Sequence, residues 1–438
     1  MQPPGDSRRS SGTAGSSFAS ARAVDGALSA AQWFVLLTAI LGWMFDGVEM
    51  GLFSGVARPA LLNLLGGSVP EGFIGQWISY LMAAFLLGAA CGGILFGWLG
   101  DRMGRVRAMA LSIAAYSIFT GACYFAHDPI QLGVLRFLAS LGMGGEWALG
   151  VALVIECWPE RFRPLLAGVI GAAGNLGYLL IGVLLRTFPA TPEHWRWTML
   201  ACTVPALLAL VILAFLPESP RWRHAVEKSQ AHPLREIFST RLIRPTLLAI
   251  GLASVALIGT WGSVQAFLPS WADQIASRTS PPDPFAKAST LMAISIGAIL
   301  GSFVGPILGG RFGRRIVYCS LCFCSLVVCQ FLFRGLSRYD WLFLSMAGVA
   351  GFFTASFYGW LPLYLPEIFP TRVRATGQGL SYNFGRIFAM FAVLETGRLM
   401  RLFDNSYPRA CATISLIYVV GMLLIWFCPE TKGKPLPE

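Results

Sequence analysis

About twelve apolar stretches, each close to twenty residues long, recur along this chain, and nothing else in it restricts the fold as strongly. They run at roughly 33–57, 75–99, 107–126, 130–154, 165–187, 195–216, 246–271, 288–310, 316–334, 340–364, 375–398 and 409–428. A helix of about 20 residues crosses the hydrocarbon core of a bilayer. In lipid the backbone must satisfy its own hydrogen bonds, so such stretches become helices. Composition agrees: 55% of the 438 residues are hydrophobic and 13% are charged, against about a quarter charged in a soluble globular chain. The expectation is an all-α membrane protein with about twelve transmembrane helices.

The net charge of +11 does not point to nucleic acid, because no run is basic without apolar spans on both sides. Loops after the even-numbered spans, with the two ends, carry about twice the Arg and Lys of the alternate loops, which predicts both termini on the cytoplasmic side. Residues 1–30 are rich in Ser, Ala and Gly and read as a disordered cytoplasmic tail. The first apolar span is too long for a signal-peptide core. The longest polar break, 217–245, separates a first six-helix half at 31–216 from a second at 246–428, followed by a short cytoplasmic tail at 429–438.

The two halves repeat each other. Gly100-Asp101-Arg102-Met103-Gly104-Arg105 after the second span recurs as Gly309-Gly310-Arg311-Phe312-Gly313-Arg314 after the eighth. Glu156-Cys157-Trp158-Pro159-Glu160-Arg161-Phe162-Arg163 recurs as Glu367-Ile368-Phe369-Pro370-Thr371-Arg372-Val373-Arg374. Pro217-Glu218-Ser219 recurs as Pro429-Glu430-Thr431. Two such halves related by an axis along the membrane normal form rocking transporters, with the substrate site between them.

Over nearly its whole length, from about Trp33 to Gly433, the chain resembles the major facilitator superfamily. Asp101, Gly104 and Arg105 match that superfamily's loop motif, and Glu156/Arg163 and Glu367/Arg374 resemble its paired acid–base signatures. The half-ends at Pro217–Arg221 and Pro429–Gly433 resemble those of sugar porters and metabolite:proton symporters. Arg136 with Gly142-Met143-Gly144-Gly145-Glu146-Trp147 is similar to sialate and lactate symporters, and Asp46-Gly47-Val48-Glu49 to aromatic-acid:proton symporters. Three positions depart from these patterns: Ser140 and Pro306 stand where Gly is usual, and Gly310 where an Asp is usual. The last predicts a latch that is weaker in the C-terminal half. The seventh span has Gln265 as its one central amide, unlike a sugar porter.

Buried charge marks the candidate site. Asp46 and Glu49 lie in the middle of the first span, three residues apart and so on one helix face. An ionised side chain there costs about 2.5–3.5 kcal/mol, and such residues mark transport paths or proton relays unless they only fix helix packing. Counting helical rise places Arg136 at the depth of Glu49, Glu146 about 15 Å deeper than Arg136, and Arg386 near Asp46. Arg386 is a candidate for holding a substrate carboxylate in a forked pair, with Asn383 one turn earlier as a further donor. Asp46, Glu49 and Glu146 are the proton-coupling candidates, since burial disfavours a charged carboxylate. Arg136 is either a substrate ligand or a packing partner of Glu49. Gln265, Trp43, Trp147, Trp261, Tyr358 and Trp360 are candidates for the substrate wall, although aromatics at helical spacing commonly serve packing alone. Asp101, Arg102, Arg105, Glu156, Arg163, Glu218, Glu367, Arg374 and Glu430 are expected to form a cytoplasmic gate that breaks and remakes as the halves rock.

The expected activity is proton-coupled uptake of a small organic anion by a monomeric transporter of the plasma (inner) membrane. A sugar or polyol porter and a non-transporting metabolite sensor are the alternatives. No enzyme is expected, because the chain has no nucleotide-binding loop and its four His fall in loops. No cofactor is expected either. Cys319, Cys322, Cys324 and Cys329 share one span with no His beside them, and read as small buried side chains rather than as metal ligands.

Overall fold

The structure, a computed structural model, describes residues 29–66, 69, 71–187, 191–228, 233–276, 283, 285–403 and 406–437. The tail expected at 1–30 lies almost wholly outside the described residues. Among the described residues all regular structure is helical.

In the N-terminal half α1 (Ala30–Leu65), α2 (Glu71–Met103), α3 (Arg105–Ala122), α4 (Pro129–Cys157) and α5 (Arg163–Thr187) each form one of the first five spans. The sixth is broken into α6 (Trp195–Ala201) and α7 (Pro205–Phe215). Pro205 occupies a first-turn position, where its missing N–H costs nothing. The polar break holds two short helices, α8 (Pro220–Lys228) and α9 (Pro233–Ile237). The seventh span is α10 (Ile243–Gly259), a π-helical turn at Thr260–Gln265, and α11 (Ala266–Ala276). Then follow α12 (Ala286–Phe312), α13 (Arg314–Gly335), α14 (Trp341–Ile368) and α15 (Arg374–Leu402). The twelfth span is divided into α16 (Tyr407–Ile414) and α17 (Ile417–Leu424).

Local signals account for several helix starts. Ser29 and Gln32 form a reciprocal capping box at α1. Asp128 caps α4 ahead of Pro129, and Asp340 caps α14 by accepting from the Phe343 N–H at 2.9 Å. Gly104 and Gly313 sit at the tight corners before α3 and α13 with φ of 106° and 103°. A side chain is disfavoured there, and the equal angles extend the internal repeat from sequence to backbone.

Among the described residues eleven spans are long and apolar enough to cross a membrane. The exception is α15, which buries Thr376, Gln378, Ser381, Asn383 and Arg386 among its neighbours. A helix this polar is stable inside a bilayer only when other helices cover it. Small residues allow that cover. A Cβ at Gly93 or Gly97 of α2 would collide with Asn383 or the backbone at Ala375 on α15. On the other side of the interface, a Cβ at Gly168 or Gly171 of α5 would strike Phe303 of α12 or the Tyr358–Gly359 backbone of α14. The halves therefore meet backbone to backbone, as small residues permit in lipid.

Candidate functional site

Glu49 and Arg136 meet inside the N-terminal half as an ion pair. Thr120 of α3 donates to the same Glu49 carboxylate oxygen at 3.0 Å, and the guanidinium lies 5.0 Å over the Phe85 ring. Both charges are buried, and the contact confirms their shared depth. A cavity of about 90 Å³ lined by Phe45, Tyr116, Cys202 and Pro205 reaches Glu49. This pair sits within one helical half, which removes Arg136 from the group of side chains around Arg386.

Glu146 lies closer to Asp46 than the depth count predicts. The Glu146 carboxylate occupies the space that a Cβ on Gly42 would take, one turn before Asp46. Asp46 and Glu146 face each other. Both are buried, and neither accepts a hydrogen bond from a described amide, hydroxyl or guanidinium group. The correction has a simple cause. Contacts 49–136 and 42–146 show that α1 and α4 run antiparallel. Each side chain leans toward its own helix N-terminus, so these two lean toward one another and close a gap that Cα spacing leaves open.

Arg386 lies across the interface from the acids. Its Nη1 donates to Asn383 Oδ1 at 3.0 Å, and its guanidinium lies 5.0 Å over the Tyr382 ring. Asn383 in turn donates to the Gly379 carbonyl at 2.8 Å and the Gly144 carbonyl at 3.3 Å, tying α15 to α4. Arg386 makes no ion pair with a described carboxylate, yet its charge acts on Asp46, Tyr178 and Tyr358. Tyr382 stacks on Trp147 at 4.2 Å and 17°, and Trp147 is 6.5 Å from Trp43. An aromatic path thus leads from α1 through α4 to the guanidinium on α15. On the other flank Tyr178 of α5 lies 6.4 Å from Trp261 in the π-helical turn. That turn also carries Gln265, whose buried Oε1 has no hydrogen-bond partner. π-turns inside helices often mark functional positions. Trp360 is not part of this wall: it packs between Tyr318 and Tyr364 within the C-terminal half, each ring 4.6 Å away.

Tyr382, Tyr178 and Tyr116 are the side chains that sequence reasoning passed over. Tyr116 is buried beside Asp46, Glu49 and Glu146, with no partner for its hydroxyl. Position alone signalled Tyr382: it precedes Arg386 by four residues, one helical turn. Nothing in the sequence pointed to Tyr178 or Tyr116.

The repeated motifs gather at one face of the molecule. In the N-terminal cluster Arg105 bonds Asp101 at 2.8 Å and Glu156 at 3.2 Å, and Arg374 from the other half reaches Glu156 at 2.9 Å. Ser219 donates to Glu156 at 2.5 Å. In the C-terminal cluster Arg314 binds both Glu367 oxygens at 2.9 and 2.6 Å, and Thr431 donates to Glu367 at 2.6 Å. Arg163 from the N-terminal half is 3.9 Å from Glu367. The crossing contact is thus longer on the side without the acidic residue.

Asp101 does more than pair with Arg105. Its carboxylate accepts the Ala375 and Thr376 N–H groups at 3.3 and 2.8 Å and the Thr376 hydroxyl at 2.5 Å. It therefore caps the first turn of α15 across the interface, where a helix favours negative charge. Glu218 and Glu430 have a more local task than the expected gate role. Glu218 accepts from the Arg105 and Val106 N–H groups, and Glu430 from Arg314 and Arg315, each capping a helix in its own half. Burial pushes the Glu218 carboxyl above its ordinary range. At Glu430 burial acts the same way, but backbone donors at Arg314, Arg315, Lys432 and Thr431 outweigh it and hold the carboxyl low. Arg102 is exposed over the Trp98 ring at 4.8 Å, outside the interlock.

The Asp101 geometry leads to one expected result. Asp101→Asn keeps a carbonyl acceptor but loses the charge on Arg105 and on the α15 terminus. Hydrogen bonds to a charged group are worth about 1.5–3 kcal/mol. The maximal transport rate is expected to fall about tenfold or more, with ligand affinity and membrane insertion preserved. Wild-type rates in reconstituted vesicles would remove Asp101 from the gate.

Comparison with known proteins decides the family. The sequence profile of the Major Facilitator Superfamily matches residues 32–393. The chain belongs to the major facilitator superfamily. It is 28% identical over 408 residues to the cis,cis-muconate transport protein of Acinetobacter baylyi, covering 91% of this chain and 95% of that protein. It is 24% identical over 426 residues to a niacin transporter of the same organism, covering 90% and 93%. The solved structure of the proton:xylose symporter XylE bound to 6-bromo-6-deoxy-D-glucose superposes with a TM-score of 0.75 at 17% identity, covering 92% of this chain and 97% of that one. That likeness is one of fold. The chain is thus a multi-pass membrane transporter of small molecules and not an enzyme, with two pseudo-symmetric six-helix halves.

Proposed function

We propose that this transporter carries a small organic carboxylate together with a proton by alternating access, with both termini cytoplasmic. One observation carries the reading: Arg386 is a buried guanidinium between the halves without a carboxylate partner among the described residues, and its charge acts on the buried acid Asp46. A buried unpaired cation is costly, and an anionic ligand with a forked carboxylate relieves that cost. The relatives named for muconate and niacin transport favour the same ligand class, since both compounds are unsaturated carboxylates. A flat ligand of that kind suits the Trp147–Tyr382 stack beside Arg386. The orientation rests on the twofold excess of Arg and Lys on the motif face.

The test is uptake of labelled muconate and niacin, and of a labelled pentose, into proteoliposomes with and without an inward pH gradient. Accumulation of a carboxylate that needs the gradient supports the reading. Accumulation of the pentose alone favours the sugar porter, and saturable binding without uptake favours a sensor.

A further inference from the structure

The two motif clusters match contact for contact except around Asp101. Arg105 answers to Arg314, Glu156 to Glu367, Ser219 to Thr431 and Arg374 to Arg163, and each makes the matching contact. Asp101 answers to Gly310, and Ala375, whose N–H it binds, answers to Pro164. A Cβ on Gly310 would press against the Pro164 ring, so these two residues do meet. The carboxylate is gone, and so is the first N–H it would accept.

What stands there instead is a cavity of about 200 Å³ between the halves. Its wall carries four cations: Arg161 and Arg163 from the N-terminal half, Arg314 and Lys434 from the C-terminal half. Glu160 is the one acid in the wall, paired with Arg163 and 3.6 Å from Arg221, and Glu367 offsets Arg314 from behind. Arg161 and Lys434 are exposed and make no ion pair with a described residue, and Arg161 lies 4.7 Å over the Phe162 ring. Arg163 is 4% exposed, and its Nε has no hydrogen-bond partner. Four cations thus face two carboxylates where the other cluster holds the Asp101 carboxylate.

We propose that this cavity binds a phosphate group, free or esterified, in the position that the missing carboxylate vacates. The ligand bridges cations from both halves, so it stabilises the state in which this face is closed. A free anion and the headgroup of an anionic lipid offer the same chemistry.

The full chain, in phosphatidylcholine nanodiscs, is titrated with potassium phosphate at ionic strength held constant with potassium chloride, and thermal unfolding is followed. A saturable rise in the midpoint is expected, since a ligand that binds the folded state stabilises it. Arg161→Gln with Lys434→Gln is expected to raise the half-saturating phosphate about tenfold or more, through loss of charged hydrogen bonds. In a second arm, phosphatidylglycerol replaces part of the phosphatidylcholine and no phosphate is added. A rise there that the same double variant removes identifies the lipid headgroup as the source, whereas a rise with phosphate alone identifies a free anion. Gly310→Asp with Pro164→Ala supplies the carboxylate within the chain and is expected to abolish the response in both arms. No saturable rise in either arm, equal responses in wild type and the Arg161/Lys434 variant, or a full response in the Gly310/Pro164 variant overturns the site.

Discussion

Arg386→Gln is expected to weaken binding of an anionic ligand by one to two orders of magnitude, corresponding to about 1.5–3 kcal/mol for a charged hydrogen bond. Glutamine keeps a donor for Asn383 but loses the charge and the fork. Arg386→Lys keeps the charge without the fork and is expected to fall between the two, because a point charge cannot pair bidentately with a carboxylate. The measurement is ligand affinity from thermal shift or scintillation proximity, with muconate and niacin in the ligand set. The unliganded unfolding midpoint separates binding from packing. Arg386 also orders Asn383 and Tyr382, so a purely structural arginine would lower that midpoint and weaken neutral and anionic ligands alike. Unchanged affinity for carboxylates would defeat the proposed site.

The sequence carried much of this architecture because its strongest signals are one-dimensional. Apolar length marks a span, and a repeated loop motif marks a half, whatever the packing. Even α15 was found, although Asn383 and Arg386 make it too polar to pass on hydropathy alone. The shared depth of Glu49 and Arg136, on the first and fourth spans, was legible for the same reason. Contacts that depend on side-chain direction were not legible. Glu146 reaches Asp46 because the antiparallel helices tilt their side chains together, and a count of Cα rise ignores that tilt. Arg102 and Arg105 are neighbours in one motif, yet one is exposed over Trp98 and the other is buried among Asp101 and Glu156. Only the turn at Gly104 separates those fates. The π-helical turn at Thr260–Gln265 contains no proline, and the one nearby signal is Pro269, which has no N–H to offer the Gln265 carbonyl four residues earlier.

The face-to-face acids give the second large effect. Two buried carboxyls in contact cannot both be charged at low cost, so Asp46 and Glu146 are expected to share one proton. Arg386 lies near enough for its charge to act on Asp46. A bound carboxylate would neutralise Arg386 and leave Asp46 to take up the proton, which makes loading of one favour loading of the other. Glu49 is held apart from this exchange by its pairing with Arg136 and Thr120. Asp46→Asn fixes the uncharged state. For one proton per substrate, a pH gradient of about one unit supports an accumulation ratio of about ten. Asp46→Asn is expected to reduce that ratio to about one, because the gradient no longer enters the cycle. Exchange of labelled for unlabelled substrate should survive, since it needs the loaded carrier to reorient and not the proton to leave. Both quantities are read from the same vesicles. Glu49→Gln serves as the contrast: it takes the carboxylate charge away from the buried Arg136, and breaking such a pair costs about 3–5 kcal/mol, so it should lower the unfolding midpoint and depress both activities together. Uphill accumulation that persists in Asp46→Asn would move the proton to Glu146, and the matching Glu146→Gln variant would then have to lose it.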